Sequence, residues 1–294
     1  MNKIKITKMQ GLGNDFIILD YAEFEKTGMT MPELAKKLCD RNFGVGADGM
    51  IIPNTKPEAQ FYHHTGKAFV PDIGWYFYNS DGTTAQMCGN GIRCFAKYVT
   101  DKKIVHDPQF SVETLAGIIV PEILDDGNVK VNMSKPILGP AQIPFKGDNN
   151  LNYELQVDDK TFKLNAVSMG NPHCVIFTDG TEDLLEMAKT YGPKIENHQL
   201  FPEKTNVEFI KIISREEMDL RVFERGCGIT LACGTGACAS VVAGILNNLT
   251  EHKVKVNLLG GALTIEWQGS SADLAHDVFM SGPAEYTFFA EYIL

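Results

Sequence analysis

The sequence has no stretch of about 18 apolar residues, the length that a membrane-spanning helix requires. It also has no low-complexity tract and no long run of charges of one sign, and 44% of its residues are apolar, so a disordered or collagen-like chain is excluded. Basic residues are the minority. The 27 Lys and Arg against 37 Asp and Glu give a net charge of −10, which argues against a nucleic-acid-binding protein.

The length of 294 residues favours two domains, since a domain typically has about 150 residues. The opening MNKIKITKMQ alternates charged and apolar residues, which predicts a strand rather than a signal peptide. We therefore expect a cytoplasmic protein without membrane association. In that reducing compartment its seven cysteines remain thiols.

Two glycine-containing loops recur at a fixed distance along the chain. CGNG begins at Cys88 and CGTG begins at Cys233, a separation of 145 residues. Asn79 lies nine residues before the first cysteine, and Glu224 lies nine residues before the second. The equal offsets predict a duplication. We expect a pseudo-twofold axis to bring the two loops face to face across a domain cleft.

The predicted elements follow the same order in both halves. Each half shows a strand, a Gly-Asn turn, a strand, a helix, further strands, and then the cysteine loop with a helix of small residues. The helix of the first half is predicted at 31–41 and that of the second at 182–196, with a strand at 206–213. Between the halves, 133–150 contains three prolines and is predicted to be a connection.

Each loop places a cysteine just before the first turn of a helix. The free N–H groups and the helix dipole at this end favour an anion and lower the pKa of a thiol. A small carboxylate bound there would hold its α-carbon between two sulfur atoms. One thiolate could then remove the α-proton from one face while the other thiol protonates the opposite face. Such an inversion requires neither a metal nor pyridoxal phosphate, so we expect no cofactor.

Other interpretations of the cysteines are possible. A cysteine is more often a small buried hydrophobic residue than a nucleophile, and that is the expectation for Cys39, Cys94, Cys174 and Cys238. A zinc site could combine Cys227, Cys233 and Cys238 with His173. The cysteine spacings of six and five do not fit the usual zinc knuckles, however, so no metal is expected.

The two loops and their surroundings resemble a known family. MCGNGIRC at 87–94 and ERGCGITLACGTGACA at 224–239 are similar to the two signatures of the diaminopimelate epimerases. Further matching segments occur in the same order: KMQGLGNDFIILD (8–20), NSDG (79–82), SMGNPHCV (168–175) and FPEKTNVEFI (201–210). The resemblance therefore extends over essentially the whole chain.

The resemblance implies an α+β fold of two similar, pseudo-twofold-related domains, each a mixed, barrel-like sheet around a central helix. It places the first domain at 1–132 with a tail at 279–294, and the second at 133–278. It implies a cofactor-independent interconversion of LL- and meso-2,6-diaminopimelate, a step in lysine and peptidoglycan precursor biosynthesis. The small-molecule substrate is the expected partner, and a homodimer is the expected assembly.

The resemblance also assigns roles to individual residues. Cys88 and Cys233 become the acid–base pair, and His173 and Glu224 adjust their protonation. The remaining assignments all concern substrate binding: Asn14, Gly49, Asn79, Gly89, Asn90, Asn171, Asn206, Glu224, Arg225, Gly234 and Thr235. Among these, Arg225 is expected to bind the distal carboxylate, because a guanidinium can form two parallel hydrogen bonds to it.

Some positions depart from the family pattern. Ile229 stands where the family usually has Glu, Phe288 stands where a Tyr is expected at the dimer contact, and His63 and His64 lie in an unusual stretch. A proline or hydroxyproline racemase of the same fold is the first alternative, although its substrate lacks a second charged head group. A non-catalytic zinc or thiol protein is the second alternative, and it predicts stoichiometric metal.

Overall fold

The computed structural model describes residues 3–58, 60–62 and 67–294, and the chain forms two compact units. The first unit comprises Met1–Val131 and Gly282–Leu294, and the second comprises Asn132–Ser281. The histidines at positions 63 and 64 lie outside the described residues. None of the described helices is both long enough and apolar enough to cross a membrane.

The first unit combines strands with three helices among its described residues. In chain order its elements are β1 (Lys3–Gly11), β2 (Asn14–Ile18), α1 (Tyr21–Glu25), α2 (Met31–Cys39), β3 (Gly49–Asn54), β4 (Gln60–Tyr62), β5 (Lys67–Phe69), β6 (Ile73–Asn79), α3 (Gly89–Asp101), β7 (Val112–Thr114), β8 (Gly117–Ile119), β9 (Pro121–Ile123) and β10 (Val129–Asn132).

The second unit follows, and the chain then returns to the first. The second unit contains a 3-10 turn (Pro140–Gln142), β11 (Tyr153–Val157), β12 (Lys160–Ser168), β13 (Pro172–Phe177), α4 (Leu184–Glu196), β14 (Asn206–Ser214), β15 (Glu217–Glu224), β16 (Gly228–Ile229), α5 (Gly234–Leu246), β17 (Lys253–Leu258), β18 (Gly261–Trp267) and β19 (Val278–Gly282). The last strand, β20 (Glu285–Ile293), belongs to the first unit.

The sheet of the first unit has seven strands in the order β20-β1-β2-β3-β6-β7-β8. One side of its inner strands packs against α2, whose Leu34 and Leu38 are fully buried with Ile17 and Met50. A capping box formed by Thr30 and Glu33 starts α2. The predicted helix at 31–41 is therefore confirmed, ending two residues earlier than expected. Helix α3 packs against β1, β2 and β3.

The sheet of the second unit runs β11-β12-β13-β14-β15-β17-β18-β19. Helix α5 contacts β12, β13 and β14 and also β18, strands well separated in that order, so the sheet curls around the helix. Small residues make this close packing possible, and most of α5 is buried. A separate apolar cluster under α4 includes Phe162, Met187 and Phe209.

The predicted repeat is present in the strand pairing. In the first unit, β1 and β2 are antiparallel, β2 and β3 are parallel, and β3 and β6 are antiparallel before α3 begins. In the second unit, β12, β13, β14 and β15 pair with the same three orientations before α5 begins. Each unit is thus a mixed sheet with a helix packed against it, which confirms the expected α+β fold.

Register makes particular residues of the two units equivalent. Phe16 pairs with Gly49 across β2 and β3, and His173 pairs with Asn206 across β13 and β14. Two residues further along the same strands, Ile18 pairs with Ile51 and Val175 pairs with Glu208. Phe16 and Ile51 in the first unit therefore correspond to His173 and Glu208 in the second.

Candidate active site

In the first unit, Cys88 is the residue that caps α3. Its backbone is extended (φ −142°, ψ 121°), and its Sγ accepts a hydrogen bond from Gly91 N at 3.4 Å. The first helical hydrogen bond runs from Ile92 N to the Cys88 carbonyl at 2.8 Å. Helices leave the N–H groups of their first turn without intrahelical partners, so those of Gly89 and Asn90 suit an anion.

Asn14 connects this cysteine to the start of β2. Its Oδ1 accepts from the Cys88 thiol at 3.5 Å and from Asn90 Nδ2 at 3.2 Å. Its Nδ2 donates to Asp48 Oδ2 at 2.5 Å, and Asp48 forms an ion pair with Arg41 at 2.7 Å. The side-chain oxygen of Asn90 is buried and has no hydrogen-bond partner in the described part of the chain. It is therefore an acceptor open to a ligand's ammonium group.

Gly49 and Asn79 lie next to each other in the sheet of the first unit. A Cβ at Gly49 would lie 2.7 Å from the Phe77 ring and 2.9 Å from the Tyr78 carbonyl oxygen, so a side chain has no room here. Asn79 ends β6 and donates from Nδ2 to Thr83 Oγ1 at 3.0 Å. Gly49 can contribute only backbone groups to a ligand.

In the second unit, Cys233 caps α5 as Cys88 caps α3. Its backbone is also extended (φ −123°, ψ 109°), and its Sγ accepts from Gly236 N at 3.4 Å. Cys233 is buried, with 4% of its surface exposed, whereas Cys88 is only partly buried. Burial, and then the carboxylates of Glu224 and Glu208, raise the pKa of the Cys233 thiol well above its ordinary value.

A line of hydrogen bonds leads away from Cys233. Its sulfur lies 3.5 Å from Thr235 Oγ1, and that hydroxyl accepts from Asn171 Nδ2 at 3.5 Å. Asn171 Oδ1 lies 3.0 Å from His173 Nε2. His173 Nδ1 in turn lies 2.7 Å from Glu208 Oε1. The structure therefore brings four of the predicted residues together with a fifth residue, Glu208, that was not predicted.

His173 and Glu208 form a completely buried pair, since neither side chain is exposed to solvent. Burial raises the pKa of Glu208, although the charge of His173 and its hydrogen bond oppose this effect. The second carboxyl oxygen, Oε2, has no hydrogen-bond partner among the described residues. Glu208 was missed because NVEFIKII was interpreted only as a strand, yet a glutamate between Val207 and Phe209 is itself a signal of function.

Both ends of the Asn206 side-chain amide form hydrogen bonds to backbone groups of the second unit. Its Nδ2 donates to the Pro172 carbonyl at 2.9 Å, and its Oδ1 accepts from Arg225 N at 2.9 Å. The exposed Arg225 side chain donates from one nitrogen to the Glu203 carbonyl at 3.1 Å. Glu224 accepts a hydrogen bond from the Thr230 hydroxyl. Asn206 thus fixes the chain on both sides of this half of the site.

The grouping of possible metal ligands differs from the one considered for zinc. Among the residues that the structure describes, the ligand atoms that cluster are those of His173, Glu208 and Cys233, all within 4.8 Å of one another. Cys227 is exposed and does not join them, nor does Cys238. Both ring nitrogens of His173 already have hydrogen-bond partners, so a metal would have to displace one.

Ile229 lies in the short strand β16 opposite Phe223. Its side chain packs against the apolar cluster under α4. An isoleucine therefore has a packing role at this position. The residue extends the core of the second unit up to the turn that precedes the Cys233 loop.

The family model and the similar proteins point to the same family. The family model described as diaminopimelate epimerase matches residues 6–139 and 165–287. A diaminopimelate epimerase of Desulfitobacterium hafniense is 47% identical over 97% of this chain and 96% of that protein. One from Pelotomaculum thermopropionicum is 44% identical over 97% of this chain and 98% of that protein.

Solved structures share the fold at low sequence identity. A phenazine biosynthesis protein of the PhzF family from Bacillus anthracis has a TM-score of 0.66 at 15% identity, covering 100% of both chains. A hydroxyproline epimerase from Agrobacterium vitis has a TM-score of 0.61 at 11% identity, covering 98% of this chain and 92% of that one. At these identities the likeness concerns the fold alone.

Proposed function

This chain belongs to the diaminopimelate epimerase family and is an epimerase that interconverts LL- and meso-diaminopimelate, and we propose that Cys88 and Cys233 are its two acid–base groups. One observation carries the proposal. Two cysteines occupy the same capping position on equivalent helices of two units that share a strand order. Because any single cysteine is usually structural, it is this repetition that points to chemistry.

In the proposed reaction, a thiolate removes the α-proton and becomes a thiol. The electron pair of the C–H bond moves into the adjacent carboxylate, giving an enediolate. The thiol of the other cysteine then gives its proton to the opposite face of the α-carbon and becomes a thiolate. Which cysteine is the base depends on the direction of the reaction, since the two thiols act on opposite faces of the α-carbon.

The helix ends stabilise the charge that develops. Backbone N–H groups of Gly89 and Asn90, and of Gly234 and Thr235, are the proposed partners of the reacting carboxylate. Arg225 is the proposed partner of the distal carboxylate, because a single guanidinium nitrogen has a hydrogen-bond acceptor, the Glu203 carbonyl, within the described part of the chain. Asn14, Asn79, Asn171 and Asn206 complete the proposed polar surroundings, the last by positioning backbone.

We also propose that the protein is a cytoplasmic homodimer. Strand β20 forms an edge of the first unit's sheet, and its Phe288 and Phe289 are 41% and 65% exposed. Unpaired edges with exposed apolar side chains tend to be covered. Light scattering is expected to give twice the chain mass of 32.5 kDa, and a monomer at micromolar concentration would rule out this assembly.

Proton NMR in D₂O with reduced protein and LL-diaminopimelate tests the reaction. As the meso isomer forms, the proton at the inverted α-carbon is expected to be replaced by deuterium, because a thiol that has exchanged with solvent delivers deuterium, whereas the distal α-proton is retained. Proline and hydroxyproline serve as competing substrates in the same assay. Formation of the meso isomer with the proton at the inverted α-carbon retained would contradict the two-thiol scheme, and turnover of proline alone would favour the first alternative.

A further inference from the structure

The directions of the hydrogen bonds behind Cys233 follow from the chemistry of each group. The amide nitrogen of Asn171 can only donate, so it donates to Thr235 Oγ1 and leaves the amide oxygen facing His173 Nε2. That oxygen can only accept, so Nε2 must carry a hydrogen. The Thr235 hydroxyl, already accepting from Asn171, has its own hydrogen free to point at the Cys233 sulfur.

The other end of this line is Glu208. With a hydrogen on Nε2, the 2.7 Å contact between His173 Nδ1 and Glu208 Oε1 needs one further hydrogen, on either atom. If it lies on Nδ1, the pair is an imidazolium with a carboxylate, and if it lies on Oε1, both groups are neutral. The pair has no net charge in either case, which suits its complete burial.

Loss of that shared proton would reverse the direction of hydrogen-bond donation along the line from Glu208 to Cys233. A carboxylate facing an Nδ1–H imidazole would leave Nε2 without a hydrogen, and Asn171 would have to present its nitrogen to the ring. Its oxygen would then face Thr235, whose hydroxyl would turn from the cysteine to donate to the amide. Of the two hydrogen-bond donors that the described residues offer to the Cys233 thiolate, Thr235 Oγ1 would be lost and Gly236 N would remain.

We propose that Glu208 is a positioning residue: by sharing one proton with His173, it fixes the direction of the line through Asn171, so that the Thr235 hydroxyl donates to the Cys233 thiolate. This inference rests on the proposed function, in which Cys233 alternates between thiol and thiolate. A hydroxyl held in place by its neighbours stabilises the thiolate without having to reorient during the reaction. Glu208 itself does not touch the substrate.

The test measures the alkylation rate of Cys233 by iodoacetamide at about pH 8, followed by peptide mass spectrometry, because only the thiolate reacts. Thr235→Val keeps the backbone N–H but removes the hydroxyl, and should slow the reaction about 10-fold. Glu208→Met should slow it by a similar factor. In the double variant the loss should be no greater than in Thr235→Val alone, since both changes remove the same hydrogen bond.

Glu208→Gln is the matched control for Glu208→Met. A glutamine can donate from its amide to Nδ1 and so keeps the hydrogen on Nε2, and its Cys233 alkylation rate should stay within about 3-fold of wild type. Cys88 is the internal reference in every sample. A purely electrostatic role of Glu208 predicts the opposite sign, since removing a negative charge in either variant would speed alkylation of Cys233.

Faster alkylation in both Glu208 variants, or losses that multiply in the double variant, would overturn the proposal. Should Glu208→Met fail to fold, NMR of the wild-type protein with ¹⁵N-labelled histidine provides the second measurement. A protected hydrogen on His173 Nε2 is expected, and its absence would also overturn the proposal. Neither measurement depends on turnover, so a failure of the two-thiol reaction in D₂O is distinguishable from a failure of this inference.

Discussion

The two units place different chemistry at the same positions of the same framework. Behind the Cys88 loop, a Cβ on Gly91 would meet the Phe16 ring at 3.5 Å. Behind the Cys233 loop, a Cβ on Gly236 would meet Glu208 Oε1 at 2.7 Å. Register makes Phe16 and Ile51 equivalent to His173 and Glu208. At these equivalent positions, the unit that contains Cys88 has two apolar side chains, and the unit that contains Cys233 has a buried pair that shares a proton.

The charged residues near Asn14 in the first unit are more exposed to solvent than the His173–Glu208 pair of the second unit. Asp48, which fixes Asn14, pairs with the exposed Arg41, and Asp15 is bonded to both Arg41 and Lys8. Burial alone would raise the pKa of Asp15, but the hydrogen bonds from Arg41 and Lys8 outweigh it and lower the pKa. The difference teaches that a shared backbone position need not mean a shared mechanism for tuning a thiol.

The largest expected loss of activity follows from replacing either of the two cysteines. Cys88→Ala and Cys233→Ala should each lower kcat by about 10³-fold or more despite their different surroundings, because inversion needs a group on each face. The epimerisation rate and the far-UV circular dichroism measure activity and folding separately. Cys227→Ala, at an exposed cysteine, is the control and should keep full activity. Substantial turnover in either single variant would end the two-base scheme.

Much of this comparison could be predicted from the sequence. The separation of 145 residues and the matching offsets of nine identified the repeat, and glycine after each cysteine indicated the helix starts. The strand order and both helix starts confirm that interpretation. Local spacing sufficed here because capping and helix formation depend on residues close together in the chain.

Other features depend on register between distant strands. That Glu208 faces His173 follows from the parallel pairing of β13 and β14, which a single sequence does not specify. The packing of Ile229 depends in the same way on the pairing of the two-residue strand β16 with β15 and on the apolar cluster under α4. Asn206 was predicted to assist Arg225 at the substrate, and the structure has both ends of its amide bonded to backbone.

Replacing His173 by the residue at the equivalent position of the first unit should have a smaller effect than replacing a cysteine. The single change His173→Phe installs the aromatic side chain of the first unit and leaves Glu208 buried without its partner. It should destabilise the protein by about 3 kcal/mol. Because the pKa of Glu208 is already raised from 4.5 in the folded state, the penalty should be smallest below that pH and grow as the pH rises. Thermal or denaturant unfolding across pH measures it.

The double variant His173→Phe with Glu208→Ile recreates the apolar pair of Phe16 and Ile51. Stability should return to within about 1 kcal/mol of wild type, because replacing both partners of a buried polar pair is nearly neutral. Turnover should nevertheless stay about 10- to 100-fold low, since the line to Cys233 is gone. A double variant that regained both stability and turnover would show that His173 and Glu208 serve only to stabilise the fold. The apolar pair of the first unit could then replace them without loss of activity.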